Sequence, residues 1–162
     1  MPKKTSAGTP ATAALTAQRV PFTPHPYDHD PAAASFGLEA ADALGVDASR
    51  VFKTLLAEVD GTLVVGVVPV TGQLDLKSLA ATVGGKKANM ADPAVAERKT
   101  GYVVGGISPV GQKTKLRTVI DESASRFATI FVSGGRRGFD IELAADDLVA
   151  VTGATLAPIA RP

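Results

Sequence analysis

The chain has 162 residues, a formal net charge of +1, 5% aromatic residues and no cysteine. That length fits one domain with a sizeable core. The near-zero charge excludes wholesale electrostatic wrapping of a long duplex, though not a local basic patch, and the shortage of aromatics argues against generic stacking of single-stranded nucleic acid. The absence of cysteine excludes disulfides, thiolate metal centres and a cysteine nucleophile.

Residues 1–8 are small and polar with two lysines, and read as a flexible tail ahead of a single domain over 9–162. They lack the apolar core of a signal peptide. No run of about 18 apolar residues follows, so no membrane span is expected and the chain reads as a soluble cytoplasmic protein.

Thr9-Pro10 pairs an N-cap residue with proline at the first helical position and predicts a helix to about Arg19. Pro21, Pro24 and Pro26 exclude helix and predict an extended, edge-like segment. Leu38, Ala41 and Leu44 share one face of a short helix over 37–44, with Gly45 placed to end it. Residues 51–59 and 62–70 are rich in β-formers and flank Asp60-Gly61, a strong hairpin signal. Asp75 caps a helix carrying Leu76, Leu79, Ala80 and Val83, closed by Gly84; Asp92-Pro93 opens another that ends near Gly101. Strand-like runs follow at 101–104, 128–133 and 139–143, then a helix over 146–151 and a last strand. Hairpins mixed with scattered helices predict an α+β domain with a mixed, barrel-like sheet surrounded by helices.

Two glycine-rich stretches, Gly101 to Lys113 and Ser133 to Leu143, each follow an apolar run and have cationic residues nearby. Glycines there let a ligand approach backbone N–H groups closely, and cations suit a phosphate; plain turns have the same composition. Lys53 sits in Val51-Phe52-Lys53-Thr54-Leu55-Leu56, where neither strand face is cleanly polar, so its ammonium either reaches solvent or enters a cleft as a point charge for an anion. Alternation puts Asp140 and Glu142 on one face, opposite Phe139, Ile141 and Leu143. That face is either solvated or carries a carboxylate for a hydroxyl or amine. His25 and His29 have metal-ligand spacing, but Pro26 between them excludes the helix that would align them, so no metal is expected. No Gly-x-Ser-x-Gly elbow accompanies Ser108, and no phosphate-loop motif is present. Lys86, Lys87, Lys113, Lys115, Arg117, Arg136 and Arg137 either gather into a patch or form solvated faces.

Several pieces in order along the chain resemble the YbaK family, the free-standing relatives of the editing domain inserted in bacterial prolyl-tRNA synthetases. They are Tyr27-Asp28-His29-Asp30, Val51 to Leu55, Gly72 to Leu76, Met90-Ala91-Asp92-Pro93, Gly105 to Lys113 and Ser133 to Gly138. The resemblance implies a compact α+β editing domain that removes cysteine wrongly attached to proline tRNA, without metal or cofactor, and without a nucleophile of its own because the substrate thiol attacks its ester. It places the family's key lysine on Lys53, its Gly-x-x-x-Pro loop on Gly105, Gly106, Ile107, Ser108 and Pro109, its tyrosine and aspartate on Tyr27 and Asp140, and a pocket aromatic on Phe36. It adds Ser133, Gly134 and Gly135 as substrate-binding positions. The implied partners are the 3′ end of an aminoacylated tRNA and, transiently, prolyl-tRNA synthetase. Two alternatives stay open: a deacylase of another mischarged tRNA such as Ala-tRNA(Pro), and a non-catalytic tRNA 3′-end or nucleotide-binding module.

Overall fold

The computed structural model describes residues 8–33 and 35–162. The expected tail lies outside the described residues except for Gly8, which is exposed. Most helix starts are made by the capping chemistry read in the sequence. Thr9 Oγ1 accepts from Thr12 N–H at 3.2 Å ahead of α1 (Pro10–Ala17). Ser35 caps α2 (Phe36–Leu44), Asp75 caps α3 (Leu76–Thr82), and Asp92 caps α4 (Pro93–Thr100). A fifth helix, α5 (Ala145–Thr152), has no side-chain cap but carries Asp146 and Asp147 in its first turn, where carboxylates suit the helix dipole.

The hairpin of β2 (Phe52–Val59) and β3 (Thr62–Pro69) turns at Asp60 and Gly61, both at positive φ, as a two-residue turn of primed type requires. The Asp60 carboxylate also accepts from the N–H groups of Lys86 and Lys87 and so fixes the approach to β5 (Ala88–Met90). β2 and β3 sit inside a five-stranded sheet completed by β6 (Arg117–Asp121) and β9 (Thr155–Ala157), in the order β5-β2-β3-β6-β9. β6 runs parallel to both its neighbours; the other pairs are antiparallel. A second, antiparallel sheet joins β1 (Thr23–Pro26), β8 (Phe139–Leu143) and β7 (Ile130–Arg136) in the order β1-β8-β7. β4 (Gln73–Leu74) pairs with β10 (Ala160–Arg161).

The main core fills the space between the two larger sheets. Phe52, Leu56, Val65, Val67 and Ile120 meet Ile130, Val132, Ile141 and Leu143, with Leu15 of α1 and Leu148 of α5 at its ends. On the other face of the five-stranded sheet, Ala57, Val64, Val68 and Val119 pack against Leu74, Leu79 and Ile159. A third cluster, Ala40, Ala41, Val51, Val70 and Phe131, seats α2.

Two sequence expectations differ from the structure, and one strand was not anticipated. The sheet is not barrel-like: the strands form three separate sheets and no closed barrel. The run at 101–104 is not a strand. Gly101 ends α4 in the left-handed region, and Val104 then has its backbone groups engaged by side chains: its N–H by Glu97 Oε2 and its carbonyl by Arg137 Nε, both at 2.8 Å. Conversely, the buried parallel strand β6 escaped the reading because it opens on Arg117 amid Lys113 and Lys115. No helix among the described residues is long and apolar enough to cross a membrane.

Candidate functional site

A cavity of about 380 Å³ lies along β2 of the five-stranded sheet. It is lined by β2, by the starts of α2 and α4, and by Val104, Gly105, Ile107, Ser133 and Asp140. Its lining is mostly apolar, with a few polar groups, as small-ligand sites generally are. Met90, half exposed, lies among the lining residues.

Lys53 enters this cavity from β2 and is only partly exposed. Burial lowers its pKa, and no carboxylate among the described residues pairs with it. An ammonium in that setting is a ready counter-charge for an incoming anion. Asp140, 6% exposed, lies opposite His25 on β1 and Ser133 on β7. Burial pushes its carboxyl up to about 7. The solvated-face alternative therefore fails for Asp140, while its neighbour Glu142 stays at the surface. Tyr27, just past β1, is tied by its N–H to the Gly138 carbonyl at 2.8 Å. Burial, and then the Asp140 charge, raise its phenol to about 12.

Phe36 opens α2, and its ring lies flat on Gly105, which holds a φ of +88°. The Arg137 guanidinium sits 4.9 Å from the centre of the same ring. Gly106 is needed for a different reason: a Cβ there would lie 2.7 Å from the Arg136 Cα, so the two glycine-rich stretches touch backbone to backbone. Of the residues singled out in the sequence, Tyr27, Phe36, Lys53, Gly105, Ile107, Ser133 and Asp140 line the cavity. Gly106, Ser108, Pro109, Gly134 and Gly135 lie behind it. Ser108 is fully buried and its Oγ accepts from Val110 N–H. The Gly134 carbonyl accepts from Thr9 Oγ1 at 2.6 Å, and Gly135 N–H donates to Ser133 Oγ at 3.2 Å, within a bulge of β7.

Thr54, Met90 and Pro93, which lie in the pieces that carry the resemblance but were given no site role there, also line the cavity. The Thr54 hydroxyl is buried without a hydrogen-bond partner, an arrangement that costs about 1–3 kcal/mol unless something fills it. Nothing in a β-rich run marks one threonine as unpartnered.

The histidines are engaged elsewhere. His25 Nε2 lies 2.9 Å from Glu142 Oε1, and Glu142 also takes Arg50 and the Thr129 hydroxyl. His29 Nδ1 lies 2.8 Å from Glu39 Oε1. Among the described residues no three metal-ligating side chains gather. Among the described residues the cavity lining has no histidine or cysteine; the Ser133 hydroxyl accepts from Gly135 N–H, and Asp140 lies opposite it across the β7–β8 pair. The site thus offers a cation, a carboxyl raised to about 7 opposite a serine hydroxyl, and glycine backbone, but no histidine or cysteine among the described residues.

An "Aminoacyl-tRNA editing domain" profile matches residues 30–151. A protein of Enterococcus faecalis, named "Putative Cys-tRNA(Pro)/Cys-tRNA(Cys) deacylase EbsC", is 36% identical over 162 residues, covering 97% of this chain and 96% of that one. A proline–tRNA ligase of Geobacter metallireducens is 34% identical over 97 residues, which are 60% of this chain and 16% of the ligase. A crystal structure described as "a putative trans-editing enzyme for prolyl tRNA synthetase" superposes with a TM-score of 0.82 at 25% identity, over 99% of this chain and all of that one. The chain belongs to the aminoacyl-tRNA editing domain family, in its YbaK branch.

Proposed function

We propose that this protein removes cysteine from mischarged Cys-tRNA(Pro), and from Cys-tRNA(Cys), by cleaving the aminoacyl ester. The observation that carries this reading is the cavity itself, which joins Lys53, without a carboxylate partner among the described residues, to Tyr27, Asp140 and Gly105, and whose described lining holds no cysteine or histidine. The attacking group then comes from the substrate. The cysteine thiol attacks its own ester carbonyl carbon, a C–S bond forms, the C–O bond to the ribose breaks, and the thiol proton ends on the ribose oxygen. The products are a cyclic thiolactone and uncharged tRNA. An ester needs positioning more than a strong base for such a step.

In this scheme Lys53 binds the phosphate or ribose of the tRNA 3′ end. The Gly105–Pro109 loop turns backbone N–H groups to the ester carbonyl or the terminal adenosine. Asp140 holds the amine or a ribose hydroxyl, and Tyr27 closes the cavity. Cysteine and proline are of similar size, so a synthetase pocket rejects cysteine poorly and a second site has to supply the discrimination. With a net charge of only +1, the domain binds tRNA weakly and relies on prolyl-tRNA synthetase for presentation. A cytoplasmic location, where tRNA is charged, goes with this role.

The test is loss of the ester from Cys-tRNA(Pro), with Lys53→Ala and Ser-tRNA as controls. Fast loss that vanishes in the folded variant and is poor with serine supports the thiol-assisted reaction. No loss from the wild type, even with prolyl-tRNA synthetase present, sinks it and favours a binding module. One observation favours a second reading. A carboxyl titrating near 7 is suited to act as general base for water, and a water-using enzyme would also clear Ala-tRNA(Pro).

A further inference from the structure

Between the bridge at Val51 and Ala57, no strand among the described residues pairs with the outer edge of β2. β5 pairs only with Ala57, Glu58 and Val59, and β7, though it lies close to β2, is bridged to this edge only at Val51–Phe131, just before β2 begins. The local sequence explains where β5 stops. Ala91 N–H still donates to the Leu56 carbonyl at 3.0 Å, but Asp92 caps α4 and Pro93 begins it. The chain therefore leaves the sheet just where continued antiparallel register would bring it opposite Thr54.

Parity decides which groups face this gap. Val70 N–H donates to the Val51 carbonyl, towards β3, whereas Ala91 N–H reaches the Leu56 carbonyl from the open side. Backbone groups alternate in direction along an unbroken strand, and the β2–β3 register is continuous. The odd-numbered residues of β2 therefore turn their N–H and C=O to β3, and the even-numbered ones turn theirs outward. Thr54 is even-numbered, so both of its backbone groups point into the gap. Its side chain alternates onto the face of Phe52 and Leu56, where its hydroxyl is the single buried side-chain polar atom among the described residues with no partner. All three residues line the cavity.

We propose that the aminoacyl group docks as the one missing strand residue opposite Thr54. Its α-amino group donates to the Thr54 carbonyl, its ester carbonyl accepts from the Thr54 N–H, and its side chain falls beside the Thr54 hydroxyl. The proposal rests on the editing function above and specifies how the substrate sits. An α-aminoacyl ester carries a donor and an acceptor on either side of one Cα. A residue in an antiparallel pair exchanges two bonds with its opposite number through the same two groups. Directly opposed residues share a face, so a cysteine thiol meets the Thr54 hydroxyl, whereas an alanine methyl leaves that hydroxyl unpaired. Valine has the shape of threonine and would suit this valine-rich sheet; a ligand accounts for the hydroxyl where no internal partner does. Asp140 is then free for a ribose hydroxyl, and the Gly105 loop for the terminal adenosine.

The experiment compares the wild type with Thr54→Val and Thr54→Ser in three measurements: kcat/KM on Cys-tRNA(Pro) and Ala-tRNA(Pro), thermal unfolding, and the NMR signal of the Thr54 amide with and without 3′-deoxy-3′-cysteinylamino-adenosine, a stable amide analogue. Thr54→Val unfolds at the wild-type temperature or above, because it deletes an unsatisfied hydroxyl. It loses about tenfold in kcat/KM on the cysteine substrate, the cysteine-over-alanine ratio falls with it, and Thr54→Ser stays within about twofold of the wild type. The wild-type Thr54 amide moves downfield and exchanges more slowly once the analogue is bound. A Thr54→Val protein that melts several degrees lower gives the hydroxyl an internal role and overturns the proposal. Wild-type rates in Thr54→Val with an unmoved amide overturn it too, and leave the editing function standing. A wild type that leaves every charged tRNA intact and ignores the analogue removes both.

Discussion

The Phe36 ring lies where a side chain on Gly105 would begin: a Cβ built there falls 2.8–2.9 Å from three ring atoms. Gly105 also holds a φ of +88°, which residues with a side chain rarely adopt. Gly105→Ala therefore strains the backbone and displaces the ring together. The expected cost is about 1–3 kcal/mol of stability, with deacylation falling about tenfold or more. Urea unfolding and kcat/KM on Cys-tRNA(Pro) check it; a variant unchanged in both would show that the ring and the loop move freely past each other.

Asp140 makes stability depend on pH in the direction opposite to an ordinary surface carboxylate. Its folded pKa, about 7, lies above its unfolded value, so the native state holds an extra proton between the two. Its contribution is complete below pH ~4 and is lost as pH rises through about 7. Asp140→Asn removes that loss. The melting temperatures of the two proteins should agree near pH 4 and separate by roughly 3–6 °C in favour of the variant near pH 8. Parallel curves across that range would show that the carboxyl titrates normally.

Lys53 is a half-buried cation with no partner carboxylate, so its removal should not loosen the fold. Lys53→Met is expected to keep or raise the melting temperature while lowering kcat/KM by about a hundredfold or more. Lys53→Arg should not restore the rate, because a planar fork replaces a compact charge in a confined space. Recovery of more than half the activity in the arginine variant would mean that charge alone matters at this position.

Glu142 ties three elements on the far side of β8 from the core. It takes His25 from β1, Arg50 from the turn before β2, and Thr129 from just before β7. The Thr129 hydroxyl, followed by His25 and Arg50, holds its carboxyl below the ordinary range. The partners are about a quarter to a third exposed, which screens the charges. Glu142→Ala should cost only about 1 kcal/mol, with turnover within about twofold of the wild type. Chemical unfolding and the standard deacylation assay decide whether this cluster is structural.

Features set by a few adjacent residues were legible in the sequence. Thr9-Pro10, Asp75 and Asp92-Pro93 start helices where expected, and Asp60-Gly61 makes the hairpin. Seven of the singled-out site residues meet in one cavity, because the resemblance ordered pieces that only the fold brings together. What could not be read depends on distant partners. β6 is buried by strands on both sides despite its charged start, and only those neighbours make it a strand. Gly134 and Ser108 looked like ligand-facing positions, yet the Phe139 ring and the Val110 amide occupy them. Thr54 stands out only once β5 is seen to stop short of it.

The 2.6 Å hydrogen bond from Thr9 to the Gly134 carbonyl joins positions 125 residues apart, one at the start of α1 and the other in the bulge of β7. Segment exchange with a relative is therefore constrained. A chimera that imports a new first helix without the matching Ser133–Arg136 bulge leaves both ends of that link without a counterpart, beside the stretch that closes the cavity. Recombination breakpoints between Arg19 and Thr23, convenient by length, carry that penalty; transplanting the two segments as a pair avoids it.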